Sequence, residues 1–173
     1  MEHRTVYFDN NATTPLHPEV RNTLIDSLED YGNPSSLHQF GRYTRNKVEQ
    51  ARERIANFIG ADPEEIIFVG SGSEANNTVL SAATCQPAKE CDNCFHNAGI
   101  ITTTIEHPCI LESAKCLQER GTSVGFLNVD GSGKVDMAQY KQMLSRQTTL
   151  VSIMMANNET GTIQDIKTLA QIA

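Results

Sequence analysis

A chain of 173 residues with 39% hydrophobic and 20% charged residues has the composition of one folded globular domain, not of a disordered segment. Its 14 basic and 21 acidic residues give a formal net charge of −7, which argues against nucleic acid or an anionic membrane as the main partner. Because no apolar stretch reaches membrane-spanning length and the start lacks a signal-peptide core, we expect a cytoplasmic protein whose five cysteines are free thiols.

Residues 1–60 are predicted to form an N-terminal segment of helices and loops. TVYF (5–8) suits a short strand or an extended arm, and Pro18 suits the first turn of a helix that continues to about residue 30. The glycine, Asn-Pro and serine content of YGNPSSLHQFG (31–41) is typical of a loop. A longer amphipathic helix is predicted over about 40–59, since its apolar residues recur at helical spacing: Val48, Ala51, Ile55, Phe58 and Ile59.

Strands and helices alternate through residues 61–173, which we interpret as a second domain. Apolar or β-branched runs predict strands at 65–70, 100–106, 123–129 and 149–156. Helices are predicted to begin near Ser73, Pro108, Asp136 and Asp165. This alternation indicates an α/β fold with a mainly parallel sheet flanked by helices. The last helix reaches the final residue without a cap, so we expect an incomplete sheet in a chain that is a fragment or is completed by another polypeptide.

The segment FVGSGSEANN (68–77) leads from an apolar run through a glycine and serine loop into a helix. In this arrangement backbone amides and the helix dipole favour an anion, so Gly72 and Ser73 are candidates for binding a phosphate group. The alternative is a tight turn in which glycine supplies only backbone freedom. The segment lacks the lysine of a Walker loop and the third glycine of a dinucleotide fingerprint.

Two further polar groups are predicted at strand ends, where ligands bind in parallel α/β sheets. His107, in TTTIEHP (102–108), could stack on a flat ring or transfer protons near neutral pH, or it could only cap the next helix. Asn158, in MMANNETG (154–161), could donate a hydrogen bond to a ring oxygen, or it could only belong to an asparagine-rich turn. A phosphate site, an imidazole and an amide together suit a flat, phosphorylated, pyridine-type cofactor.

The cysteines divide into an irregular insert and a helix. Cys85, Cys91, Cys94 and His96 could ligate zinc or part of an iron–sulfur cluster, but the second Cys-x-x-Cys of a zinc pattern is absent, and we favour a variable loop without metal. Cys109 and Cys116 are spaced seven residues apart on the helix after His107, and we expect both to be packed in the interior.

The sequence resembles the cysteine desulfurases of the NifS/IscS type, which are fold-type I pyridoxal phosphate enzymes of the class V aminotransferase group. The matching stretches occur in family order along nearly the whole chain: YFDNNATTPLHPEV, YGNPSSLHQFGR, GADPEEIIFVGSGSEANN, TTTIEHPCIL and LVSIMMANNETGTIQDI. The resemblance implies that the chain is the N-terminal segment and the first part of the large cofactor-binding domain.

The resemblance also implies roles for four residues. Gly72 and Ser73 match the loop that holds the phosphate of pyridoxal 5′-phosphate, and His107 matches the histidine that stacks on the ring and assists proton transfer. Asn158 matches the asparagine near the phenolic oxygen. The implied reaction converts L-cysteine to L-alanine and leaves the sulfur as a persulfide on an enzyme cysteine, for iron–sulfur cluster assembly or thiolation.

The family's Schiff-base lysine, its aspartate for the pyridine nitrogen and its sulfur-accepting cysteine have no match in this chain. The six lysines present suit solvated surface positions, so we expect no desulfurase activity from the chain alone. The resemblance implies a homodimer or a complementary C-terminal fragment as partner, and a sulfur-acceptor or scaffold protein is also possible. Alternatives left open are a selenocysteine lyase or another class V enzyme, a non-catalytic truncated product, and an unrelated nucleotide-binding α/β domain.

Overall fold

The computed structural model describes residues 5–84 and 99–173, and the chain divides into two compact units, Met1–Phe68 and Val69–Ala173. The first unit holds the helices α1 (Pro18–Ser27) and α2 (Gln39–Ile59) and a short 3-10 helix (Pro63–Glu65). The described part of the second unit holds, in chain order, α3 (Gly72–Thr84), β1 (Gly99–Thr103), α4 (Pro108–Glu119), β2 (Ser123–Leu127), α5 (Met137–Met143), β3 (Thr148–Ser152) and α6 (Ile166–Ile172). None of these helices is long and apolar enough to cross a membrane.

Helix α2 begins against the loop that precedes it. Nδ1 of His38 accepts a hydrogen bond from the amide of Gly41, and a side chain at Gly41 would meet the carbonyl oxygen of Ser36, because a Cβ there would lie only 2.4 Å from it. The helix ends at Gly60, as predicted, in the left-handed conformation that glycine adopts without strain. The loop predicted over 31–41 therefore runs directly into the first turn of α2.

The apolar residues whose helical spacing predicted an amphipathic α2 are largely exposed. Phe58 is 90% exposed and Ile59 60%, and within the described part of α2 only Gly41 and Ala56 are buried. Helical spacing identified an amphipathic helix correctly, but spacing does not specify which surface covers its apolar side.

The prediction of a strand over 65–70 is wrong. Residues 63–65 form the 3-10 helix, and residues 66–69 belong to no strand and have no strand partner among the described residues. The guanidinium of Arg52 donates to the carbonyl of Ile66 and lies 4.8 Å from the ring centre of Phe68, whereas Ile67 is 76% exposed. A strand needs a neighbour for its backbone hydrogen bonds, which the apolar composition of a segment does not supply.

The sheet of the second unit is parallel, and in the described residues its strand order is β2-β1-β3. Ile100 of β1 pairs with Val124 of β2, and Ile101 pairs with Val151 of β3. These three strands confirm the predictions for 100–106, 123–129 and 149–156, although each ends earlier than predicted. The outer edge of β3 has no strand beside it in the described ranges, so the predicted incomplete α/β sheet is confirmed.

Successive residues of β1 point to opposite faces of the sheet, and each face has its own core. Ile100 packs with residues of α3, α4 and β2 on one side: Leu80, Ile110, Ala114, Leu117 and Val124. Ile101 packs with the buried residues of the other side: Leu127, Val135, Tyr140 and Leu169. The tyrosine hydroxyl donates to the carbonyl of Leu169 at 3.0 Å, and burial raises the pKa of this hydroxyl.

The predicted helix starts are confirmed by the residues that cap them. A carboxylate oxygen of Asp136 accepts from the amides of Ala138 and Gln139 at the start of α5, and Asp165 accepts from Thr168 at the start of α6. Helix α4 begins at Pro108, with His107 as its N-cap. These caps fix where each chain segment leaves a strand end and enters a helix.

Candidate functional site

The segments that follow β1 and β3 lie at the same edge of the sheet. Residues 104–107 leave β1 and residues 153–160 leave β3, and because these strands are parallel neighbours, their carboxyl ends are adjacent. This edge carries His107 and Asn158, two of the four residues predicted from the sequence.

The N-terminus of α3 offers hydrogen-bond donors that the protein leaves unused. Ser71 Oγ accepts from the amide of Glu74 at 3.1 Å, and the Glu74 carboxylate accepts from the amide of Gly70 at 2.7 Å. In the described part of the chain, the amides of Gly72 and Ser73 have no hydrogen-bond partner. Ser73 is exposed, and a Cβ built on Gly72 would have no atom within 4 Å. The start of this 13-residue helix can therefore receive an anion.

His107 is exposed, and its imidazole is attached to the first turn of α4. Nδ1 accepts a hydrogen bond from the amide of Cys109 at 3.2 Å and lies 3.0 Å from the sulfur of the same residue. The capping role that the sequence offered as an alternative is therefore real. It does not exclude a second role, because no described residue forms a hydrogen bond with Nε2.

The thiol of Cys109 joins the imidazole to helix α3. Asn76, in the second turn of α3, donates from Nδ2 to the Cys109 sulfur at 3.1 Å. A second contact between these helices lies farther along, where the Ser113 hydroxyl donates to the Asn77 carboxamide. The helix that presents Gly72 and Ser73 is thus connected to His107 through two side chains.

Two buried polar side chains connect the loops after β1 and β3. The carboxylate of Glu106 accepts from the amide of Met154 at 2.7 Å and from the hydroxyl of Thr103 at 3.1 Å. Asn157 donates to the carbonyl of Ile105 at 2.9 Å. Burial raises the pKa of Glu106, and its two hydrogen bonds oppose that rise only in part.

Asn158 itself is exposed, and its carboxamide donates to the carboxylate of Glu159 at 3.0 Å. The turn is organised by the neighbouring Asn157, whose oxygen accepts from the amides of Glu159 and Thr160 at 2.9 and 2.8 Å. The structure thus connects Gly72 and Ser73 to His107 through side chains of α3 and α4. Asn158 is attached to the His107 loop through Asn157 and Ile105.

Sequence reasoning missed Glu106, Asn157, Asn76 and Cys109 as parts of this arrangement. A charged residue at the end of the β-rich run ITTTIE gave a usable signal for Glu106, because a carboxylate there must find hydrogen-bond partners. The expectation that both helix cysteines are interior is wrong for Cys116, which is exposed, whereas Cys109 is half-buried.

The insert considered as a metal site lies outside the described residues, which exclude Cys85, Cys91, Cys94 and His96. Within 5–84 and 99–173, no group of three or more histidine, cysteine or acidic side chains is arranged to bind a metal ion. The five lysines in those ranges are all exposed, in agreement with the surface positions expected from the sequence.

Comparison with known proteins identifies relatives of this chain. The family model for class-V aminotransferases matches residues 6–173. The cysteine desulfurase IscS of Dictyoglomus turgidum is 43% identical over 171 residues, which cover 98% of this chain and 42% of that relative. The chain therefore spans less than half the length of this relative.

Two solved structures are similar in fold as well as in sequence. A NifS-like protein superposes with a TM-score of 0.88 at 38% identity, over 96% of this chain and 44% of the other. The structure of SspA in complex with cysteine superposes with a TM-score of 0.87 at 32% identity, over 98% of this chain and 47% of the other.

Proposed function

The chain belongs to the class-V aminotransferase family, and on that premise we propose that it is the N-terminal part of a cysteine desulfurase that binds pyridoxal 5′-phosphate. The complete enzyme would convert L-cysteine to L-alanine and transfer the sulfur to one of its own cysteines. The name of the IscS relative and the cysteine bound by SspA support this choice of activity and substrate.

The observation that carries the proposal is the unused donor set at the start of α3, a helix that is joined by side-chain contacts to the His107 imidazole. Two free amides and the Ser73 hydroxyl suit the oxygens of a phosphate group, and the space at Gly72 lets such a group approach the backbone. His107 is linked to the same helix through Cys109 and Asn76. This donor chemistry fits a small molecule that has a phosphate at one end and a flat ring at the other.

Each proposed role follows from the free atoms of the residue. Gly72 and Ser73 would hold the phosphate of the cofactor. The exposed ring of His107 would lie on the pyridine face, with Nε2 left to hold or release a proton. Asn158 uses one of its two amide hydrogens on Glu159, so the other can be donated to the ring oxygen. When bound, pyridoxal phosphate supplies an electron sink that the protein side chains lack.

Protein partners are part of the proposal. Phe8, Leu37 and Phe58, all in the first unit, are each more than 80% exposed. Apolar side chains at such positions favour contact with another polypeptide surface, so we propose that the enzyme works as a dimer.

Equilibrium dialysis of the chain against pyridoxal 5′-phosphate and against pyridoxal tests the phosphate site. We expect the phosphorylated compound to bind at least about tenfold more tightly, since a charge-assisted hydrogen bond contributes about 1.5–3 kcal/mol. Ser73→Ala should reduce that preference, whereas Ser81→Ala, on an exposed position of the same helix, should preserve it. Equal affinity for the two compounds would refute the proposed phosphate site.

A further inference from the structure

The contacts around Cys109 determine which nitrogen of His107 carries hydrogen. The backbone amide of Cys109 can only donate, so Nδ1, 3.2 Å away, must be the acceptor and is unprotonated. The neutral imidazole then carries its hydrogen on Nε2. With Nδ1 unprotonated, the only hydrogen available for the 3.0 Å contact between Nδ1 and the Cys109 sulfur is that of the thiol, which shares the single Nδ1 lone pair with the amide.

The sulfur is held from its other side by helix α3. Asn76 Nδ2 donates to it at 3.1 Å, so the thiol donates one hydrogen bond and accepts another. Both Asn76 and Cys109 are half-buried, and the two helices pack against each other around the shared core that contains Leu80 and Ile110. The thiol therefore lies between a carboxamide fixed on one helix and the imidazole at the start of the next.

We propose that Cys109 is a positioning residue that holds the His107 ring in one orientation and in the Nε2–H tautomer. The backbone amide alone restrains one direction at Nδ1, and the thiol adds a second restraint that is anchored to α3 through Asn76. Its catalytic meaning rests on the proposed function, because an Nε2–H held toward the site is useful only if a cofactor or substrate binds there. The tautomer itself is a property of the chain without any ligand.

Nitrogen-15 NMR of the imidazole rings, recorded on the whole chain without cofactor, tests the proposal. The signal of His107 is assigned with His107→Gln, and His38 serves as an internal reference because its Nδ1 also accepts from a helix amide, that of Gly41. We expect His107 to show only the Nε2–H form in the wild type, in Cys109→Ser and in Cys116→Ala. Cys109→Ala keeps the amide of residue 109 but removes the second restraint, so the exposed ring can turn away from that amide and a second population with hydrogen on Nδ1 should appear. Asn76→Ala should have a smaller effect in the same direction.

Two results would overturn the proposal: hydrogen on Nδ1 of His107 in the wild type, or an unchanged His107 signal in Cys109→Ala. Unfolding of the second unit is recognised by the loss of the backbone amide signals of β1 and β2. Cys109→Ser, which keeps a donor of similar size, is then decisive, because a second His107 population in that variant overturns the proposal. Because no cofactor is present, a failure here is distinct from a failure of pyridoxal phosphate binding, which the dialysis experiment measures separately.

Discussion

The carboxylate of Glu106 accepts a hydrogen bond from the backbone amide of Met154 at 2.7 Å, and this contact joins the end of β1 to the end of β3. Glu106 directly precedes His107, and Met154 lies four residues before Asn158. Together with the bond from Asn157 to Ile105, this contact fixes the spacing between the two loops that carry the proposed ring-binding residues. A buried carboxylate used in this way should make the stability of the second unit depend on pH.

Glu106→Gln is expected to weaken that dependence. Burial raises the pKa of Glu106, so the folded chain keeps this proton to a higher pH than the unfolded chain does. The stability that comes from the protonated carboxyl is present below the ordinary glutamate pKa of 4.5 and is lost as the pH rises through the raised value. Glutamine keeps an acceptor oxygen but does not titrate, so the variant should gain stability relative to the wild type as the pH rises above 4.5 and passes the raised pKa of Glu106.

Urea unfolding followed by circular dichroism at several pH values measures this difference. Glu119→Gln, at an exposed position of α4, is the matched control and should parallel the wild type. Glu106→Ala should be destabilised by about 1–3 kcal/mol, because it leaves the half-buried Met154 amide without its acceptor. A difference between Glu106→Gln and the wild type that stays constant with pH would contradict the role assigned to the carboxyl.

The adjacent asparagines are expected to separate stability from cofactor binding. Asn157 is buried and forms hydrogen bonds with Ile105, Glu159 and Thr160, so Asn157→Ala should cost about 1–3 kcal/mol of unfolding free energy. Asn158 is exposed, and Asn158→Ala should change stability by less than about 0.5 kcal/mol while weakening pyridoxal phosphate binding. Urea denaturation and equilibrium dialysis on the same samples provide both numbers. Equal loss of stability in the two variants would refute this division of roles.

Alanine substitution of two glycines should have different effects on stability. A methyl group at Gly72 enters open space at the start of α3, so Gly72→Ala should leave stability unchanged or raise it by up to about 1 kcal/mol. The same methyl would occupy the space proposed for the phosphate and should weaken binding of pyridoxal 5′-phosphate more than of pyridoxal. At Gly41 the methyl would meet the Ser36 carbonyl, and we expect a loss of about 1–3 kcal/mol. Thermal unfolding and dialysis check both outcomes.

The parts of the fold that depend on local chemistry could be predicted from the sequence. Asp136 and Asp165 cap their helices, Pro108 begins α4 and Gly60 ends α2, because each signal acts within one turn of the residue concerned. The strand at 65–70 could not be predicted in this way. Its residues have strand composition, but pairing depends on a neighbour that no local pattern reveals.

The sequence also indicated part of the candidate site. The resemblance to desulfurases indicated Gly72, Ser73, His107 and Asn158, which are residues with free polar atoms at the ends of helices and strands. The roles of Glu106 and Asn157 could not be predicted from the sequence, because their hydrogen-bond partners lie 48 and 52 residues away in the chain. For Cys109 the sequence indicated only a packing role, because its contacts with His107 and Asn76 depend on how helices α3 and α4 are placed relative to each other.

The chain by itself is expected to bind pyridoxal phosphate only reversibly and to form no alanine from cysteine. Covalent attachment requires a lysine whose amine is uncharged at neutral pH, which burial or a neighbouring cation provides. All five described lysines are exposed. The hydrogen bond with the Asp30 carboxylate raises the pKa of Lys47, and Lys115 is paired with the carboxylate of Glu112. Borohydride treatment followed by intact mass measurement should therefore find less than stoichiometric labelling, spread over several lysines. One cofactor fixed per chain at a single lysine, or alanine produced from cysteine, would show that a reactive amine exists in these 173 residues.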